Sequence, residues 1–230
     1  MNTFLEQSVF FGVFVSLAAY AVGVFIKNKT KFSLFNPLLI SIIITSAAVI
    51  FAGTDYDVYY EGAKYISYLL TPATVALAIP LYEQVTVLKK NFKAIIAGIV
   101  SGVITSLCSI LAMALIFGFT HEQYVTFLPK SITTAIGMGV SEELGGYVSI
   151  TVAVIIITGV LGSVIAEGVL KLFKITDPVA KGIAIGTASH AVGTSKAMEI
   201  GKTEGAMSGL SIVVSGLLTV AGASVFASFL

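Results

Sequence analysis

The chain has 230 residues, of which 57% are hydrophobic and 11% charged, with a net charge of +1 and a mean hydropathy of +1.00. A soluble domain carries roughly a quarter of its residues as charges, so this composition excludes a wet globular surface and gives nucleic acid nothing to bind. It fits a chain whose solvent is the lipid bilayer.

Uncharged runs of helical membrane-crossing length occur at Ser8–Ile26, Phe32–Gly53, Tyr65–Tyr82, Ala94–Thr120, Leu144–Ala166 and Gly205–Leu230. The first has no basic flank or A-x-A-like cleavage site before it and is expected to stay in the mature protein as a span. Short strands of alternating polarity, the mark of a membrane barrel, do not occur. All thirteen basic residues are lysines, so an anion would have to meet lysine, histidine, hydroxyls or backbone N–H groups rather than a bidentate arginine clamp. The single Cys108 excludes an intrachain disulfide, and one Cys with two His makes a structural metal site an unlikely reading. No metal, cofactor or paired catalytic carboxylates are expected, and the chain does not read as an enzyme.

Lysines cluster at 27, 29 and 31, at 89, 90 and 93, and at 171, 174 and 181. The positive-inside rule places these clusters on the cytoplasmic side, as in a multi-pass protein of the cell's inner (cytoplasmic) membrane. Parity then requires the stretch 126–146 to enter and leave on the outer face. It also requires Gly182–Glu204 to enter and leave on the inner face. The expected fold is all-α and polytopic, with about six full spans and two re-entrant, broken-helix hairpins of opposite orientation, Phe127–Gly145 and Gly182–Gly201. The whole of 1–230 reads as one integral membrane domain.

A repeat at an offset of 57 residues supports this. Thr71-Pro72 answers Leu128-Pro129, and Ser101-Gly102, Thr158-Gly159 and Ser215-Gly216 recur at the same spacing. Residues 1–64 are then scaffold spans, and 65–125, 126–182 and 183–230 are repeat units. Inverted repeats with discontinuous helices are a secondary-transporter architecture. Helix breaks are expected at Pro72, Pro80, Pro129, Gly137, Gly186 and Gly193. A proline at the first helical position would leave free N–H groups pointing at an anion.

Polar residues at membrane depth are costly and normally face a cavity or the protein interior. The residues expected to bind a small anion are Lys130, Ser131, Thr133 and Thr134 in one hairpin. In the other they are Thr187, Ser189, His190, Thr194 and Ser195. Lys130 reads equally as a countercharge or as a lysine snorkelling to the interface. His190 is a candidate for proton coupling or a packing histidine bonded to a carbonyl, and Glu142 is a second coupling candidate.

The blocks LLTPATVALAIPLYEQ (69–84), LPKSITTAIGMGVSEELGG (128–146) and GTASHAVGTSKAMEIGKTEGAMS (186–208) resemble the LrgB/CidB family of bacterial membrane proteins. The wording of the last two is closer to the CidB branch, and the family is also similar to the C-terminal half of the plastid glycolate/glycerate carrier. The resemblance implies a carrier of small 2-oxo or 2-hydroxy monocarboxylates such as pyruvate, glycolate or glycerate; ion coupling is expected of such a carrier, and assembly into a homo-oligomer is expected from its small size. The resemblance equally implies the alternative, a regulator of murein hydrolase activity and lysis acting with a holin-like LrgA/CidA partner.

Overall fold

The computed structural model describes residues 10–30, 35–69, 72, 75–76 and 78–230, and the regular structure among them is helical. The chain divides into two compact units, one ending at Ala76 and the other beginning at Leu77.

The first unit contains α1 (Phe11–Thr30), α2 (Pro37–Ala52) and α3 (Tyr56–Ser67). Helix α2 begins where Asn36 Oδ1 accepts from the Leu38 N–H at 2.8 Å and Pro37 occupies the first turn. It stops at Gly53, whose φ of 61° is a left-handed cap that glycine adopts without a Cβ penalty. Glycines on α1 let the neighbours close in. Gly12 lies against the Tyr59 carbonyl of α3, and a Cβ on Gly23 would sit 2.5 Å from Pro37 O.

The second unit contains α4 (Ala78–Glu83), α5 (Val85–Phe117), α6 (His121–Phe127), α7 (Thr134–Glu143), α8 (Val148–Leu172), α9 (Pro178–Ile200) and α10 (Lys202–Ala227). Helices α1, α5, α8 and α10 are long and apolar enough to cross a bilayer, so the chain is a polytopic membrane protein. Helix α2 is apolar but has 16 residues, short of the ~20 a span needs. The expected span Tyr65–Tyr82 is not one helix. Helix α3 ends at Ser67 and α4 begins at Ala78, and residues 70, 71, 73, 74 and 77 lie outside the description.

Between α5 and α8 the chain folds back on itself. Thr120 and Gln123 form a reciprocal capping box that starts α6. Residues 128–133 then turn, and α7 returns. Both arms are tied to the start of α8. The Tyr147 N–H donates to Thr126 Oγ1 at 2.8 Å, and the Tyr147 hydroxyl donates to Glu122 at 2.6 Å. Thr151 Oγ1, fully buried, lies 2.9 Å from Thr126 O and 2.7 Å from Ser141 Oγ. A buried group left without its partner costs about 1–3 kcal/mol. Thr151→Val is therefore expected to lower stability by about that amount, read as a fall in the thermal unfolding midpoint in detergent.

A second reversal divides α9. His190 has φ 42° and ψ −137°, outside helical geometry. Ile185 and Ala197 nevertheless pack in one cluster with Ala166 and Leu170. In a straight helix twelve residues would separate them by about 18 Å. A Cβ on Gly193 would lie 3.0 Å from Ile185 O. Residues on either side of His190 are thus two antiparallel arms of a hairpin, and α10 runs beside both.

The two hairpins open at opposite ends of this unit. The first has its mouth where α5 finishes, and there the Tyr124 hydroxyl donates to Phe226 O near the end of α10 at 3.0 Å. The second has its mouth where α5 and α10 begin, with Thr203 Oγ1 bonded to Gln84 Oε1 at 3.3 Å. Their inner parts meet α8 at one residue. The His190 Nε2–H donates to Ile155 O at 3.0 Å, and Gly137 of the first hairpin lies directly against Ile155 Cδ1. Ile95, Ile99, Val103 and Leu107 on α5 form the core with Tyr124, Leu128, Ile132 and Met207.

Candidate functional site

A cavity of about 690 Å³ lies between α5, the turn of the first hairpin and the first arm of the second. Helix α5 contributes small residues at 98, 102, 105 and 106. Gly98 faces Ile183, and a Cβ on Gly102 would lie 2.7 Å from Thr187 Cγ2. The missing side chains let the α9 arm approach and leave room beside it.

At the inner end, Lys130 Nζ donates to Ser131 Oγ at 3.0 Å, and Ser131 Oγ lies 3.3 Å from Ser106 Oγ. Across the cavity stands Thr187, 7% exposed, whose Oγ1 is buried with no hydrogen-bond partner among the described residues. No acidic side chain among the described residues pairs with Lys130. An ammonium has three donors, and here one hydroxyl takes one of them. A half-buried cation beside hydroxyls, one of them unpartnered, suits a small anion, because hydrogen bonds between charged and polar groups are the strong ones. The opposite end is lined by Asn91 and Asp177, near the lysines at 89, 90, 93 and 181. There Asp177 is occupied as the cap of α9, accepting from the Ala180 N–H at 2.9 Å.

Of the residues singled out in the sequence, the cavity brings together Lys130, Ser131 and Thr187. Thr133 and Thr134 start α7 half-buried beside the turn, outside the cavity lining. Ser189 is buried against Gly162 and lines a separate cavity of about 130 Å³ with residues of α8. His190 is the packing histidine bonded to a carbonyl, its ring against Gly159. Thr194 Oγ1 donates to His190 O at 3.0 Å and lies 2.7 Å from Ser208 Oγ, tying the second arm to α10. Ser195 is exposed and bonded to Ala191 O, and Glu142 is exposed.

The expected helix breaks need correction. Pro129 lies in the turn after α6, not at the first position of a helix, and the N-terminus of the returning helix is at Thr133–Thr134. Gly137, Gly186 and Gly193 are inside helices and serve close approach. The break falls at His190, so Gly186–Ser189 end a half-helix and do not begin one. Pro80 lies within α4, and the block around Pro72 lies largely outside the described residues. Glu167 and Lys171, four residues apart on α8, pair at 3.7 Å, but Glu167 has a closer partner in Lys196 at 2.6 Å, which also meets Glu199 at 3.3 Å. That contact joins the second arm of the hairpin to α8.

Thr105 and Ser106 were missed in the sequence. Gly98, Gly102 and Ser106 recur every four residues, which puts them on one face of α5. That stripe of small residues inside an apolar run was the available signal.

Four apolar helices long enough to cross a bilayer define a polytopic membrane protein, and one of them, α5, forms with the two hairpins a largely apolar cavity that presents hydroxyls, Lys130, Asn91 and Asp177. The chain belongs to the LrgB-like family, whose model matches residues 16–229. It is similar to the "Antiholin-like protein LrgB" of Bacillus subtilis (strain 168), 38% identical over 224 residues and covering 96% of both chains. Proteins of the same name from Bacillus cereus (strain B4264) and Bacillus anthracis (strain CDC 684 / NRRL 3495) are 36% identical over 222 residues, again with 96% of each covered. These relatives carry the LrgB name, and the finer placement nearer CidB gains no support from them. No solved structure matches.

Proposed function

We propose that the chain acts as an antiholin-like protein of the bacterial cytoplasmic membrane, modulating murein hydrolase activity and lysis together with a small LrgA/CidA-type membrane partner. The observation that carries this reading is full-length similarity, at 38% identity, to a protein named for that role.

A second reading is favoured by the cavity: a carrier of small 2-oxo or 2-hydroxy monocarboxylates such as pyruvate, glycolate or glycerate. Lys130 without an acidic partner and Thr187 with an unpartnered hydroxyl support it, since a purely regulatory partner has no use for such a pocket. In this reading about six segments cross the bilayer. The reversals at 128–133 and at His190 are re-entrant hairpins from opposite faces, and each hairpin with the span after it is one half of an inverted repeat. The cavity end at Asn91 and Asp177 then faces the cytoplasm, by the lysines around it. Coupling to an ion gradient and assembly with further copies of the chain belong to the same proposal.

Two measurements on the same protein separate the readings. Carriage requires saturable uptake of labelled pyruvate, glycolate or glycerate by the purified chain in liposomes. The antiholin-like role requires that deleting the gene alter autolysis and murein hydrolase activity. Altered lysis with no flux for any acid in the panel would leave the regulatory role standing alone.

A further inference from the structure

Lys130 lines two cavities. Beside the large one it also borders a second, of about 120 Å³, shared with Ile110, Met113, Phe117, Phe119 and Phe127. The two lie toward opposite ends of α5. The large cavity follows that helix from Asn91 to Ser106, about 22 Å at 1.5 Å per residue. The small one lies beyond Ser106, toward Phe117, where α5 ends.

The small cavity is bounded by a row of aromatic rings. Phe117 and Phe119 stack with centroids 6.1 Å apart and planes 26° from parallel, and Phe119 stacks on Phe127 at 5.6 Å and 27°. The three rings come from three parts of the chain: the end of α5, the link after it, and the first arm of the hairpin that carries Lys130. Polar side chains are absent from the lining of this cavity apart from Lys130.

We propose that Lys130 is the exchange point between an aqueous path to the lysine-rich face and a closed path to the opposite face, and that the stacked, half-buried rings of Phe119 and Phe127 are the barrier on the closed side, with the exposed Phe117 flanking them. An apolar constriction of this kind stops a charged solute because the solute would have to shed its water there. Phe127 is on the hairpin and Phe119 is not, so displacing the hairpin from α5 parts the stack. The same displacement moves Lys130 and Ser131 away from Ser106. Opening the barrier and releasing the site are therefore one movement. The identity of the solute, a small carboxylate, rests on the carriage reading above; the barrier does not.

The test is cysteine accessibility in membrane vesicles of either orientation. It uses the full chain with Cys108→Ser and a reporter Ser106→Cys in the cavity. A membrane-impermeant maleimide is expected to label the reporter from the lysine-rich face and at least tenfold more slowly from the other. Adding Phe119→Ala and Phe127→Ala is expected to raise the slow rate at least tenfold. Phe119→Ala alone gives the same direction of change if the pair lowers the yield of folded protein, since Phe119 is half-buried in a link between helices. Equal labelling from both faces with the stack intact overturns the proposal. So does an unchanged slow rate in variants that unfold at the temperature of the reporter protein. Labelling needs no flux, so a parent chain that carries no acid counts against carriage and leaves the barrier to be judged on accessibility.

Discussion

Lys130→Met is expected to weaken binding of a small carboxylate by about 10- to 100-fold while leaving the protein as stable as before or more so. Hydrogen bonds to a charged group contribute about 1.5–3 kcal/mol, and 1.4 kcal/mol is a factor of ten in affinity. Methionine keeps most of the length of the lysine stem without its charge. The ammonium is half-buried with Ser131 Oγ as its hydrogen-bond partner and no acidic side chain among the described residues paired with it. Removing such a charge relieves a desolvation cost, which is why stability is expected to hold. The two readouts therefore move apart, whereas a merely structural lysine would lose both together. Lys130→Arg is expected to restore little, because a planar fork does not place its donors where a compact ammonium does. The measurements are thermal unfolding in detergent and titration with pyruvate and glycolate. A Lys130→Met protein that binds these acids as the parent does would remove the cavity from consideration as the anion site.

Two chain reversals were legible in the sequence because the placement of the lysines made a hairpin the simplest solution in each stretch. Lysines at 89–93 and 171–181 place the start of α5 and the end of α8 on one side, so the crossings between them must be even in number; α5 and α8 are two, which leaves 126–146 to turn back. The same counting placed the second hairpin between Gly182 and Gly201, where the chain does reverse. What the sequence obscured was which residue turns. Glycine was the natural choice, since it reaches positive φ without strain. The turn instead falls on His190 at φ 42°, held by its bond to Ile155 O and by the bond Thr194 makes to His190 O. The bond to Ile155 is long-range and invisible to a local reading. The lining of the cavity was half legible. Lys130, Ser131 and Thr187 stand out as polar groups in apolar surroundings, but the stripe Gly98, Gly102 and Ser106 on α5 is made of small residues, which in a membrane helix more commonly mark close helix packing than a cavity wall. Thr105 and Ser106 were hidden for that reason.

Gly186→Leu is expected to cost about 3 kcal/mol or more, enough to leave little folded protein at growth temperature, while Gly139→Ala is expected to be neutral or slightly stabilising. Both glycines lie within helices, where alanine has the better propensity by about 1 kcal/mol. Their surroundings differ. A Cβ on Gly139 would have nothing within 4 Å, whereas a Cβ on Gly186 would lie against Ser208 O, 2.7 Å from Ser208 Cα and 2.8 Å from its Oγ. The carbonyl and Cα are backbone and have no rotamer to yield. The first arm of the hairpin must then move away from α10. Gly182 makes the same kind of contact one turn earlier, 2.5 Å from Glu204 O, so the separation cannot be confined to one residue. Overpacking in a tight interior costs about 1–3 kcal/mol, and a whole leucine in place of a hydrogen sits at the top of that range. Displacing the arm also shifts Thr187 relative to Gly102 and disturbs the wall of the cavity, so any surviving Gly186→Ala protein should bind a carboxylate more weakly as well as melt earlier. Equal melting temperatures for Gly186→Leu and Gly139→Ala would show that the arm is not held against α10, and the cavity built on that contact would have to be redrawn.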